Sequence, residues 1–177
     1  GDHEFENFVQ QKYSKKENYS IRFMPTFSHL LHGIALLETH GDLLLEVGHI
    51  RFDSRAVQPG DVFVAVRGAA IDGHQFIDKA IKNGAVAIIA QSNDLVSSLP
   101  VPTVLVADSA EALGQIAANY YGNPSREIIL VGVTGTNGKT TTVTLLWQLF
   151  TALGYPCGLI GTVENRVGEV ILPSTHT

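Results

Sequence analysis

Ile128-Ile129-Leu130-Val131-Gly132-Val133-Thr134-Gly135-Thr136-Asn137-Gly138-Lys139-Thr140 is the stretch on which the fold turns. Its first six residues are mostly β-branched and apolar, which predicts a short buried strand. A glycine-rich turn follows. Beyond it, Val143, Leu145, Leu146, Leu149 and Phe150 recur at helical spacing, so residues 141–152 are expected to form a helix. Strand, Gly-x-x-Gly-Lys-Thr turn and helix together make a phosphate cradle, in which glycines let backbone N–H groups turn inward and the helix start adds positive potential. Lys139 would reach the β- and γ-phosphates and the Thr140 hydroxyl would join a Mg²⁺ shell. The usual pattern has a glycine five residues before Gly138. Here that position is Val133, and Gly135 supplies the turn. The alternative is an ordinary strand-to-helix turn that happens to hold Gly-Lys-Thr.

Upstream, short apolar runs alternate with amphipathic segments. Residues 28–37 read as a helix capped by Ser28, and residues 43–52 as a strand alternating at Leu45, Val47, His49 and Arg51. Pro59-Gly60-Asp61 signals a tight turn before a strand over 62–66. Residues 75–83 suit a helix closed by Gly84, residues 85–90 and 101–106 two strands, and residues 109–121 a helix capped by Asp108 or Ser109. Downstream of the cradle, residues 157–161 read as a strand, and 162–172 as a hairpin around Gly168. This alternation predicts an α/β fold with a mainly parallel sheet.

The chain of 177 residues has 45% hydrophobic and 16% charged residues, which suits globular structure and excludes a disordered chain. A formal net charge of −5 gives no general attraction to nucleic acid. A single cysteine, Cys157, provides no internal disulfide framework and agrees with a reducing compartment. No apolar run reaches the length of a membrane span, so the sequence reads as cytoplasmic, with no membrane insertion.

Val131-Gly132-Val133-Thr134-Gly135-Thr136-Asn137-Gly138-Lys139-Thr140-Thr141-Thr142 resembles the ATP loop of the Mur ligases. Asp53-Ser54-Arg55, Pro59-Gly60-Asp61-Val62-Phe63-Val64-Ala65 and Asp72-Gly73-His74 resemble the first domain of the MurE type, the UDP-N-acetylmuramoyl-tripeptide synthetases. The likeness runs from about residue 27 to the last residue. It implies three segments: a polar tail or engineered remnant over 1–26, a small N-terminal α/β UDP-substrate-binding domain over 27–124, and over 125–177 the start of a P-loop, Rossmann-like ATPase domain. The implied activity is ADP-forming joining of a diamino acid to UDP-N-acetylmuramoyl-L-alanyl-D-glutamate in peptidoglycan synthesis, with ATP and Mg²⁺. A UDP-sugar-binding module without catalysis and a stand-alone P-loop NTPase are the alternatives.

Carried over position by position, the resemblance implies that Gly135, Thr136, Asn137, Gly138, Lys139, Thr140 and Thr141 bind ATP, with Lys139 as the catalytic phosphate clamp and Thr140 on the metal. It places Phe52 beside the uracil and Ser54 in hydrogen bonding to the UDP moiety. Ala69, Ala70 and Ile71 fall on the loop lining that site, and His176 and Thr177 where contacts to the muramoyl-peptide begin. The family's modified Mg²⁺-binding lysine, ATP-base pocket and amino-acid pocket would lie beyond residue 177, so this chain alone is expected to be inactive. About 50 residues of an ATPase domain bury little core. Its strands are therefore expected to pack on the first domain, pair with a second copy, or fray.

Overall fold

The computed structural model describes residues 24–68, 71–91, 99–168 and 170–173. The chain divides into two compact units, Arg22–Ile129 and a second that begins at Leu130.

The first unit is a five-stranded sheet. In chain order its elements are α1 (Phe27–Leu30), β1 (Leu36–His40), β2 (Ile50–Arg51), β3 (Val62–Val64), a 3₁₀ turn (Gly73–Phe76), α2 (Ile77–Lys82), β4 (Ala87–Ala90), β5 (Thr103–Val106) and α3 (Ser109–Tyr120). The strand order is β1-β5-β4-β3-β2. Strands β2, β3, β4 and β5 run parallel, and β1 closes one edge antiparallel to β5. Both faces of the parallel part are covered, which is why its strands read as continuous apolar runs. Val62, Val64, Ala87, Ile89, Val104 and Val106 face Phe27, Leu30, Ala112 and Ile116 of α1 and α3. Phe63, Ala65, Ile88 and Ala90 face Ile77 and Ala80 of α2. Residue alternation within β3 and β4 thus divides the core into two layers.

Helix α3 starts where the sequence predicts. The Asp108 carboxylate caps it, accepting from the N–H groups of Ala110 (2.8 Å) and Glu111 (3.0 Å). Near its other end, Asn119 is buried and donates through Nδ2 to the carbonyls of Leu30 and His32, each at 2.8 Å. Asn119 thereby satisfies the carbonyls left open where α1 stops.

Two predicted elements of this unit differ from the structure. The helix expected over 28–37 is confined to Phe27–Leu30 and is capped by Thr26, whose hydroxyl accepts from the His29 N–H at 3.3 Å. Gly33 adopts a left-handed φ of 78°, which ends the helix, and Leu36–His40 then pairs with the open edge of β5. Ladder hydrogen bonds to β5 outweigh the helical spacing of the leucines. The strand expected over 43–52 is reduced to Ile50–Arg51. Residues 43–47 instead run beside the start of α1, where Leu43, Leu45 and Pro25 supply carbonyls to Ser28, Phe27 and Val47.

The second unit contains α4 (Lys139–Ala152) and a three-stranded antiparallel sheet, β6 (Gly158–Ile160), β7 (Glu164–Val167) and β8 (Val170–Pro173), in the order β6-β7-β8. Helix and hairpin fall close to their predicted positions. The buried strand predicted over 128–133 is corrected: those residues form no strand, and Ile129 is 95% exposed. Branched side chains favour a strand only when a neighbour supplies a ladder and covers the faces. Among the described residues, no strand pairs with this one.

Candidate functional site

The phosphate-loop residues lie in the second unit. Gly138 is the N-cap of α4 with φ 77°, a left-handed conformation that glycine reaches without a Cβ clash, and it offers no side-chain cap. No side-chain oxygen therefore competes for the first amides of the helix, which remain available to an anion. Lys139 Nζ donates to the carbonyls of Gly135 (2.6 Å) and Thr136 (3.4 Å), folding back over the turn. Thr136, Asn137, Thr140 and Thr141 are exposed. Uncapped amides, a cation at the helix start and open hydroxyls fit a polyphosphate. For Mg²⁺, Thr140 offers one hydroxyl, and among the described residues no group of three His, Cys, Asp or Glu side chains could hold a metal.

The residues tied by resemblance to the nucleotide sugar lie in the first unit. Phe52 follows β2 directly and is 66% exposed, which leaves an aromatic face open for stacking. Ser54 is buried, and its carbonyl accepts from Asn83 Nδ2 at 2.8 Å. Between them, Asp53 accepts from Arg55 Nη2 at 2.7 Å and from the Arg55 N–H at 2.9 Å. The Arg55 guanidinium and amide together lower the Asp53 pKa to about 2. Ile71 is exposed, and its carbonyl closes a turn by accepting from the Gly68 N–H at 3.0 Å. Ala69, Ala70, His176 and Thr177 lie outside the described residues.

Asp61 shapes the approach to Phe52 and Ser54. It is 2% exposed and accepts from the His49 N–H (2.9 Å), the Gln58 N–H (3.0 Å) and Arg51 Nε (3.1 Å). One carboxylate thus braces the residues on both sides of the 52–57 segment. Gly48 leaves room beside it, since a Cβ there would crowd Asp61 Oδ1 at 3.0 Å and the Gly60 carbonyl at 3.2 Å.

A hydrogen-bonded ring joins the C-terminal ends of β3, β4 and β5. The His74 imidazole Nδ1 meets Asp72 Oδ1, and its Nε2 accepts from the Gln91 N–H at 2.9 Å. Gln91 Oε1 accepts from the Ser109 N–H (3.2 Å) and hydroxyl (3.1 Å), and the Ser109 oxygen accepts from the Arg67 N–H (3.4 Å). Arg67 Nε lies 3.4 Å from Asp72 Oδ2, which closes the ring. The Asp72 carboxyl is held below the usual range, first by the His74 N–H, then by its imidazole. The sequence alone marks Asp61 only as part of a turn and Ser109 only as a possible helix cap, and it assigns no site role to these two, His74 or Gln91, although Pro59-Gly60-Asp61 and Asp72-Gly73-His74 are visible patterns. Gln91 carried only one local signal, its place directly after a buried strand.

A parallel, doubly covered sheet in one unit and a Gly-Lys-Thr turn at a helix start in the other define a two-unit α/β protein. Residues 46–121 match the family model described as "Mur ligase family, catalytic domain", and residues 133–177 match "Mur ligase middle domain". The chain belongs to the Mur ligase family. It is 48% identical over 149 residues to the UDP-N-acetylmuramoyl-L-alanyl-D-glutamate–2,6-diaminopimelate ligase of Cytophaga hutchinsonii, a match covering 84% of this chain and 31% of the relative. The Listeria innocua enzyme of the same name is 43% identical over 148 residues, covering 84% and 30%. Among solved structures, a UDP-N-acetylmuramoyl-L-alanyl-D-glutamate–2,6-diaminopimelate ligase shares the fold at TM-score 0.62 and 21% identity, over 88% of this chain and 31% of that one. The UDP-N-acetylmuramoylalanyl-D-glutamyl-2,6-diaminopimelate–D-alanyl-D-alanyl ligase of Acinetobacter baumannii matches at TM-score 0.56 and 28% identity, over 73% and 28%. The chain thus spans under one third of the length of these relatives.

Proposed function

We propose that the protein is an ATP-dependent ligase of peptidoglycan precursor synthesis, joining a diamino acid to UDP-N-acetylmuramoyl-L-alanyl-D-glutamate. We further propose that this chain supplies the nucleotide-sugar site and the phosphate loop. One observation carries the reading: the 149-residue match at 48% identity to a ligase of that name. In a chain of 177 residues, a match of that length spans both Ser54 and Lys139.

In such a ligation the γ-phosphoryl group of ATP passes to the substrate carboxylate and ADP departs. The amine then attacks the carbonyl carbon, forming the amide and releasing phosphate. In this reading Gly135 to Thr141 hold the phosphates, and the Lys139 ammonium and the amides at the start of α4 offset charge on the transferring group. Thr140 contributes a hydroxyl to Mg²⁺. Phe52 stacks on the uracil, Ser54 hydrogen-bonds the UDP moiety, and Ala69, Ala70 and Ile71 line that site. His176 and Thr177 begin the contacts to the muramoyl-peptide. The proposed domains are 27–124 and 125–177, and the proposed location is the cytoplasm. Among the described residues, no helix is long and apolar enough to cross a membrane. Self-association through the second unit completes the reading, supported by the exposure of Leu130, Val131, Ile160 and Val163.

Calorimetric titration tests the assignment. UDP-N-acetylmuramoyl-L-alanyl-D-glutamate should bind the chain, and Ser54→Ala should weaken it about tenfold through loss of one buried hydrogen bond. Absence of UDP-ligand binding, together with tight Mg-ATP binding that Lys139→Ala abolishes, would return the protein to the stand-alone NTPase reading.

A further inference from the structure

We propose that His74 is a positioning residue for the nucleotide-sugar site, acting through the ring Arg67–Asp72–His74–Gln91–Ser109. This inference rests on the reading above. The directions of the hydrogen bonds define one protonation pattern. Because Nε2 accepts from the Gln91 N–H, the proton of a neutral imidazole is on Nδ1, and it is donated to Asp72. The same Asp72 oxygen accepts the His74 N–H at 3.0 Å. With its hydroxyl proton given to Gln91 Oε1, Ser109 keeps a lone pair for Arg67. Each donor named here therefore faces an acceptor.

The burial of His74 and the placement of the ring give it consequence. The His74 side chain is 8% exposed, so its bonds are shielded and an unmatched atom there is not rescued by water. The ring spans the ends of three adjacent parallel strands, on the same edge of the sheet as the end of β2 that leads into Phe52. One side of the ring is the turn whose described ends are Gly68 and Ile71. That turn is shut by the Arg67–Asp72 bridge and by the Gly73 N–H on the Val66 carbonyl at 2.8 Å. Gly73 admits no other residue without a shift, since a Cβ would lie 2.6 Å from that carbonyl oxygen. His74 is the link that ties this closed turn to the end of β4, and Gln91 carries the tie onward to the start of α3.

Two substitutions separate positioning from bulk stability. His74→Asn keeps a donor near Asp72 and removes the acceptor for Gln91, whereas His74→Gln places an oxygen where Nε2 stood. On the full chain, His74→Asn should weaken UDP-N-acetylmuramoyl-L-alanyl-D-glutamate about tenfold, and His74→Gln should recover to within about threefold of the original. Without any ligand, amide exchange should accelerate at Gln91, Gly68 and Gly73 in His74→Asn and stay protected in His74→Gln. The proposal is overturned if both variants bind as the parent does, or if exchange in His74→Asn is unchanged or rises equally throughout the first unit. Failure of the unmodified chain to bind any UDP ligand would sink the functional reading instead, and the exchange measurement alone would then judge the ring.

Discussion

Arg51 Nε donates to Asp61 Oδ2 at 3.1 Å, and the two side chains are 19% and 3% exposed. The pair stands at the foot of the segment that carries Phe52 and Ser54, with two backbone N–H groups on the same carboxylate. Removing that carboxylate takes the acceptor from two backbone amides and one partner from the Arg51 guanidinium. Asp61→Ala should therefore cost about 3 kcal/mol in urea unfolding. Asp61→Asn, which keeps an acceptor but turns an NH₂ toward donors, should cost roughly half as much. A loss below about 0.5 kcal/mol for Asp61→Ala would mean that the turn is held by other bonds.

Lys139 closes its own loop in the structure, with Nζ on the Gly135 carbonyl. That bond is exposed and easily exchanged for a phosphate oxygen. Lys139→Ala should weaken Mg-ATP binding by about 10- to 100-fold, since charge-assisted bonds are the ones lost. Thermal stability and UDP-ligand affinity should stay within experimental scatter. Equal loss of both ligands would show that the substitution unfolds the chain.

Asp53 gives a pH signature. Its carboxyl titrates at about 2, against an ordinary value of 3.8, chiefly because of Arg55. A depressed folded-state value means that the stabilisation is complete above the unfolded value near 4 and disappears as pH falls through about 2. Arg55→Ala should move the Asp53 carboxyl resonance midpoint in NMR up toward 3.8. The stability gap between parent and variant should close between pH 4 and 2. Both side chains are well exposed, so the gap is small and added salt narrows it. An unmoved midpoint would assign the depression to other groups.

Ile129 decides between the strand expected from its sequence and the exposed backbone observed. At 95% exposure, Ile129→Lys should change the stability of this chain by no more than about 0.5 kcal/mol. A loss of several kcal/mol would require a buried environment for that side chain.

Much of the first unit was legible because its signals are local. The apolar runs at 62–66, 85–90 and 101–106 could be buried only between two layers, and Asp108 marks a helix start by capping chemistry alone. Residues 36–40 were not legible, since their strand exists through β5, more than sixty residues away. In the candidate site, the Gly-Lys-Thr turn was named from its spacing, and Phe52 and Ser54 through the family resemblance. Asp61, His74, Gln91 and Ser109 were not, because each matters through a hydrogen-bond partner that the sequence does not put beside it.

The sequence by itself determined the α/β class, the order of most elements, the Gly-Lys-Thr turn at a helix start and the family resemblance. Each depends on short-range information: periodicity of apolar residues, caps, and glycines at fixed offsets. Tertiary structure decided which predicted strands exist. Leu36–His40 gained a ladder on β5, whereas 128–133, with higher β propensity, gained none. It also decided the ring that ties His74 to Asp72, Gln91 and Ser109, since only parallel pairing brings the ends of β3, β4 and β5 to one edge. A hydrogen bond needs its partner in place, and a linear pattern records residue types without recording which of them meet.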